Sequence, residues 1–256
     1  MKIIAISDIH GYLPQLPKCD VVTISGDILP LHIQDKYEDA LCWLAGPFQD
    51  WALKLDCDKV IFIAGNHDSM FEYMSDNGEH TCRKLKSNEP HWQFQVSCTA
   101  FVIMGTLFKM DDNAILKFIY LQDSEYTYNG VKFNGVPWWP NLRNWAFYGD
   151  SQLLTEKFNN IPSDTDVLLT HCPPRYMGQG IVHQNVYNYM SDYGCNELQD
   201  VLAESFADRD MWVLSGHIHS GKHSIEKYNN IKYRNVSLKD ENYEIVYEPF
   251  YFDITK

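Results

Sequence analysis

The chain has 256 residues and a formal net charge of −13. That length can bury a core without disulfides or structural metal, and the acidic excess excludes long-range attraction to a nucleic-acid backbone or an anionic membrane. The seven cysteines are odd in number, widely spaced and form no C-x-x-C, which argues against a disulfide framework and for a reducing, cytoplasmic setting. No apolar run reaches the ~18 residues of a membrane span, and the N-terminal run is too short for a signal peptide. An anionic substrate would need a local source of positive charge, such as a bound cation.

In chain order, short continuous apolar runs end abruptly in polar residues. KIIAIS runs into Asp8-Ile9-His10, DVVTIS into Gly26-Asp27, and KVIFIA into Gly65-Asn66-His67-Asp68. Later, DVLLT runs into His171 and MWVLS into Gly216-His217-Ile218-His219. Such runs read as strands covered on both faces. DKYEDALCWLAGPFQDWALKL before the third strand reads as a helix broken near Gly46-Pro47. SQLLTEKFNNI and CNELQDVLAESFA read as helices before the fourth and fifth strands. SEYTYNGVKFNGVPW reads as a hairpin turning at Asn129-Gly130. After GHIH the chain reads as strands only, with a turn near Asn229-Asn230 and a final strand region YEIVYEPFYFDI. Residues from about Ser69 to Leu116 give no clear pattern. Alternating strands and helices imply an α/β fold, and the added hairpins imply two packed sheets with helices outside. No linker or internal repeat divides residues 1–256, so a single domain is expected.

Ligands in open α/β sheets bind beyond the carboxyl ends of the strands. Five strands place Asp8, His10, Asp27, Asn66, His67, Asp68, His171, His217 and His219 at that end. Taken singly, each has a plain explanation: a turn or cap for an aspartate, a hydrogen-bonded core imidazole for His171. Five strand ends producing the set independently is a poor explanation. Mixed imidazole and carboxylate donors suit divalent transition metals such as Mn, Fe, Zn or Ni, and not an all-oxygen calcium cage. The set exceeds the needs of one ion, so two divalent metal ions are expected. The D-x-H and H-x-H pairs, two residues apart, would share a face of an extended chain.

This order of motifs, D-x-H, G-D, G-N-H-D, a lone His and G-H-x-H, resembles the calcineurin-like metallophosphoesterase superfamily. YLQDSEYTYNGVKFNGVPWWP, LLTHCPP, Gly194-Cys195 with Leu198, and GHIHSG resemble its metallophosphoesterase-domain (MPPED, or 239AB-like) subfamily. The resemblance implies a two-sheet β-sandwich flanked by α-helices, a four-layer αββα fold. It implies that Asp8, His10 and His219 bind one metal, that Asp27 bridges, and that Asn66, His171 and His217 complete the second site. His67 would face the substrate, with Asp68 orienting it and raising its pKa. The reaction implied is hydrolysis of a small phosphodiester, with a cyclic nucleotide as one candidate, by a metal-bridging hydroxide with His67 as proton donor. Substrate contacts are expected from Asn66, His67, Trp138 and Tyr176. The alternatives are a phosphomonoesterase, including a protein phosphatase, then a nuclease or a noncatalytic metal-binding scaffold. Ser69-Met70-Phe71 after the G-N-H-D motif lowers the protein-phosphatase option, and the complete ligand set lowers the scaffold option. Cys172, Arg175 and the stretch GQGIVHQN depart from the subfamily pattern near the expected rim. They bear on the substrate and not on the metals.

Overall fold

The structure is a computed structural model that describes residues 1–75, 117–184 and 189–255. Most of the stretch that gave no sequence pattern, residues 76–116, lies outside the described residues. Its start, Ser69–Ser75, is a helix.

Two main sheets carry the fold. In the first, β1 (Lys2–Ile6), β2 (Val21–Ser25), β3 (Lys59–Ile63) and β4 (Phe118–Tyr120) run parallel, and β13 (Phe250–Asp253) closes the β1 edge antiparallel. In the second, β6 (Val131–Val136), β7 (Val167–Thr170), β10 (Met211–Ser215) and β12 (Ile231–Asn235) run parallel. Hairpin partners β5 (Ser124–Tyr128) and β11 (Glu226–Tyr228) border it on either side. A separate two-stranded ribbon pairs β8 (Ile181–Gln184) with β9 (Tyr189–Asp192).

The side-chain alternation of a strand sorts the apolar runs into two layers. Ile3, Ala5, Ile61 and Ile63 of the first sheet share one buried cluster with Phe133, Val167, Leu169 and Leu214 of the second. Their neighbours Ile4, Ile6, Val60, Phe62, Leu168 and Val213 face outward into the helix-covered cluster. Helix α1 (Tyr37–Trp43), a π-helical turn (Leu44–Phe48) and α2 (Gln49–Lys54) bring Phe48 within 5.8 Å of Phe62. Helix α3 (Ser69–Ser75) sets Phe71 6.1 Å from the same ring. Helices α4 (Ser151–Asn159) and α5 (Asn196–Ser205) contribute Leu154, Phe158, Leu198 and Leu202. This is the expected sandwich of two sheets with helices on the outside.

Two expectations differ from what is found. Gly46-Pro47 does not break the helix; the chain widens into a π turn around Pro47 and stays helical from Tyr37 to Lys54. A wider turn accommodates a residue that lacks an N–H donor. YEIVYEPFYFDI contains a strand only over Phe250–Asp253; the residues before it form a tight turn described below. The short β4 and the β8–β9 ribbon carry no signal long enough to be read from sequence.

What positions the site is a shared rim. The carboxyl ends of β1, β2 and β3 meet those of β7 and β10 and are tied across the two sheets. Ser25 Oγ donates to Leu214 O (3.1 Å), and His171 Nδ1 donates to Ser25 O (2.9 Å). Gly216 N donates to His171 O at 3.0 Å.

Candidate metal centre

Three of the five strands, β1, β2 and β10, leave their sheets through a backbone conformation that side chains usually avoid. Asp8, His10, Asp27 and His217 all have positive φ, at 52°, 42°, 54° and 65°. Non-glycine residues there carry a cost of order 1–2 kcal/mol each. The D-x-H pair therefore does not lie on an extended chain, as its spacing suggested. It lies in turns held by His10 N donating to Asp27 O (2.9 Å) and Gly11 N donating to Ile28 O (2.9 Å). Close approach also dictates two glycines. A Cβ on Gly65 would stand 2.2 Å from Asp27 Oδ1, and one on Gly216 would stand 2.1 Å from Asp8 Oδ2.

These turns bring the expected ligands together. Asp27 Oδ2 lies 3.6 Å from His10 Nε2, while Asp27 Oδ1 lies 3.4 Å from His171 Nε2. Asp8 Oδ1 lies 3.1 Å from His219 Nε2, and Asn66 Oδ1 lies 2.9 Å from His171 Nε2. Among the described residues, two groups of donor atoms fall within 4.8 Å of one another: Asp8, His10 and His219, and Asp8, Asp27 and His171. Asp8 is common to both groups, whereas Asp27 directs one oxygen towards each. Of the H-x-H pair, His219 belongs to the first group, its ring 5.6 Å from His10, while His217 is in neither group and its ring lies 4.9 Å from His171.

Electrostatics pair the groups further. Burial opposes the charge on Asp8 and Asp27, but the imidazoles outweigh it and hold both carboxyls below the usual range. His219 acts chiefly on Asp8, and His171 on Asp27. Burial also opposes the charge on His171 and His219, yet Asp27 and Asp8 respectively raise them to about 9. Burial lowers His10 to about 4 and His217 to about 3. Without metal, then, protons sit where carboxylate and imidazole face each other.

The residues fit a pair of divalent cations. Among the described residues, neither ring nitrogen of buried His10 has a hydrogen-bond partner, a costly state that a metal bond relieves. His171 Nδ1 donates to Ser25 O, and His219 Nδ1 donates to Asp240 O at 2.8 Å. In each case the backbone carbonyl fixes the ring and leaves Nε2 turned to the carboxylates, the usual support for a ligating histidine.

His67 stands at the edge of this group. Its N–H is anchored on Asp27 Oδ1 (2.9 Å), and its Nε2 is 3.8 Å from Asp27 Oδ2. Its ring partner is not Asp68. Nδ1 is bonded to Gln34 Oε1, and the Asp68 carboxylate accepts instead from the backbone N–H groups of Ile28, Leu29 and Gly65 at 2.9–3.0 Å. Asp68 thus staples the turn after β2 to the turn after β3. Burial, then the Asp27 charge, raises Asp68 to about 7 against those three donors. Burial lowers the His67 pKa, the reverse of the expected rise.

The expected aromatic contacts are also redistributed. Trp138 is buried, donates Nε1 to both Asp123 oxygens at 2.9 Å and packs on Phe147 at 5.5 Å, so its indole is engaged on that side of the hairpin. Tyr176 is 70% exposed and lies beside Arg175. Among the described residues, the rings that reach the imidazoles are Trp139, 4.2 Å from His217, Trp145, 4.4 Å from His67, and Tyr243, 5.0 Å from His10. Trp139 lay next to the residue chosen from sequence. Gln34, Trp145 and Tyr243 come from loops whose sequence carries no motif. Cys172 is buried, with its thiol against Pro173 O and Tyr193 O.

Among the described residues, no helix is long and apolar enough to cross a membrane. Comparison with known proteins gives a match to the calcineurin-like phosphoesterase family over residues 1–221. A Caenorhabditis elegans UPF0046 protein, T07D4.2, is 27% identical over 99% of this chain; the chain spans 60% of that relative's length. Human metallophosphoesterase domain-containing protein 1 is 28% identical over 99% of this chain and 71% of its own. A phosphopantetheinyl hydrolase from Mycobacterium tuberculosis superposes with a TM-score of 0.49 and 14% identity, covering 94% of this chain and 90% of its own. The family match takes in every strand-end motif from Asp8 to His219: the chain belongs to the calcineurin-like phosphoesterase family, whose members use two divalent metals.

Proposed function

We propose that the chain is a dinuclear metal-dependent phosphodiesterase for a small substrate, a cyclic nucleotide being one candidate, and that residues 1–256 act as one catalytic domain. Asp8, His10 and His219 would hold one ion, Asn66, His171 and His217 the other, with Asp27 shared. The observation that carries this reading is the orientation of Asp27, whose two oxygens face His10 and His171 at 3.6 and 3.4 Å. When bound, the metals supply positive charge against the phosphoryl oxygens and acidify water.

The chain's own residues supply the rest. Gln34 accepts the Nδ1 proton of His67, which leaves Nε2 as the atom facing the site. From there His67 can pass a proton to a departing ester oxygen. An alkoxide leaving group needs that proton, and general acid help of this kind contributes ~10²–10⁴-fold. Burial disfavours the imidazolium until an anionic substrate arrives and compensates its charge. The preference for a diester rests on the lining beside His67: Gln34, Asp35, Asn66, Ser69, Trp145 and Ala146. Among the described residues, that lining holds an acid and neither lysine nor arginine, which suits a singly charged diester better than a doubly charged monoester.

The test is metal-loaded protein assayed on a bis-aryl phosphodiester, an aryl phosphomonoester, 2′,3′- and 3′,5′-cyclic nucleotides and single-stranded nucleic acid. The proposal expects the small diesters to have the highest kcat/KM. A higher kcat/KM for the monoester contradicts it.

A further inference from the structure

Tyr243 lies beyond the residues matched to the family, in the turn that precedes β13. Its ring centroid is 5.0 Å from that of His10, 5.4 Å from His219 and 6.4 Å from His67, nearly perpendicular to each. It is 37% exposed, so part of the ring borders the opening above these imidazoles.

The turn holds it there firmly. Asp240 N donates to Glu244 O, and Tyr243 N donates to Asp240 O, both at 2.9 Å. The Asp240 carboxylate accepts from the N–H groups of Asn242 (2.9 Å) and Glu244 (3.0 Å). Three bonds then clamp the turn to the G-H-x-H loop. Asp240 O accepts from His219 Nδ1 (2.8 Å), and Glu241 Oε1 accepts from the N–H and hydroxyl of Ser220 (2.9 and 2.7 Å). Tyr243 itself has φ 64°, where a glycine or asparagine would be at ease and a tyrosine is strained. An aromatic ring kept at a strained position, half open above buried imidazoles, points to a use for the ring.

We propose that Tyr243 is a specificity-determining residue: with Trp145 it forms aromatic walls that favour phosphoesters bearing a flat, uncharged aromatic group such as a nucleobase. This rests on the phosphoesterase reading of the same site. Both rings reach the His67 imidazole, Trp145 at 4.4 Å and Tyr243 at 6.4 Å, so a group bonded to the phosphoryl unit beside His67 meets aromatic surface. Among the described residues, the lining beside His67 and Trp145 contains Asp35 and no lysine or arginine, which disfavours a second anionic group. Stacking on an aromatic side chain tolerates any base, because every base has a π face.

The experiment measures dissociation constants by calorimetry on manganese-loaded protein, with adenosine 5′-monophosphate and ribose 5-phosphate as probes. These share the phosphate and ribose and differ in the base. Tyr243→Gly removes the ring and relieves the strained φ, so its melting temperature should equal or exceed that of the parent. Tyr243→Phe keeps the ring. The expected result is about tenfold weaker binding of the nucleotide to Tyr243→Gly, little change for the sugar phosphate, and parent-like binding of both to Tyr243→Phe. Equal losses for both probes, or no loss for the nucleotide, overturn the proposal, as does a parent that does not distinguish them. The turnover panel judges the other reading separately: a parent that hydrolyses no phosphoester while showing this binding pattern contradicts the enzyme and leaves the aromatic wall standing.

Discussion

The centre and the rim of the site are built by different means. Asp8, Asp27, Asn66, His171 and the two histidines of GHIH lie within a few residues of the strand ends, so the sheet register places them. Gln34, Trp145 and Tyr243 arrive from loops and are placed by side-chain and turn hydrogen bonds. A centre fixed by parallel strands can be common to many catalysts, while loops of this kind can change what is bound without moving the metals.

The sharpest way to break the contrast is at Asp27. Asp27→Asn is expected to lose both metals together and to reduce turnover to background, measured by metal analysis and initial rates. Next is His67→Ala, which should keep its metals and lose ~10²–10⁴-fold on diesters with poor leaving groups. An activated aryl diester should lose much less. Asp68 should behave as part of the scaffold. Asp68→Ala leaves three buried N–H groups without their acceptor and is expected to cost about 3 kcal/mol in denaturant unfolding. Asp68→Asn should keep most of the stability and the pH profile of turnover.

Metal-free protein gives a smaller, pH-dependent signal. His171 and His219 are raised from 6.5 to about 9 in the folded state by Asp27 and Asp8. Their contribution is present in full below about pH 6.5 and is lost as pH rises through about 9. Urea titrations without metal should therefore show stability falling over that window. Saturation with manganese should remove the fall. The least change is expected at Trp138: Trp138→Phe gives up the bond to Asp123, should cost about 1 kcal/mol of stability and should leave KM for nucleotide substrates as it was.

The same division decided what could be read from sequence. Continuous apolar runs that stop at Asp, His or Asn mark buried parallel strands and what hangs from their ends, so the five strands and the set of residues they carry were legible. The turn geometry was not. D-x-H looks like two side chains on one face of a strand, but positive φ at Asp8 and His10 brings them inward by a different path. YEIVYEPFYFDI has the aromatic and β-branched composition of a strand, and its first part is bent by the Asp240 carboxylate. Nothing local identifies Tyr243 as a residue in a left-handed conformation above the imidazoles. The family resemblance pairs Asp68 with His67; in space its oxygens serve the backbone, and Gln34, 33 residues before the imidazole, serves the ring.

The most direct test is electron paramagnetic resonance of manganese-loaded protein combined with metal analysis. The account predicts two ions per chain and an exchange-coupled spectrum, replaced in Asp27→Asn by weakly held, uncoupled manganese. One ion per chain with an isolated six-line signal in the parent would contradict it.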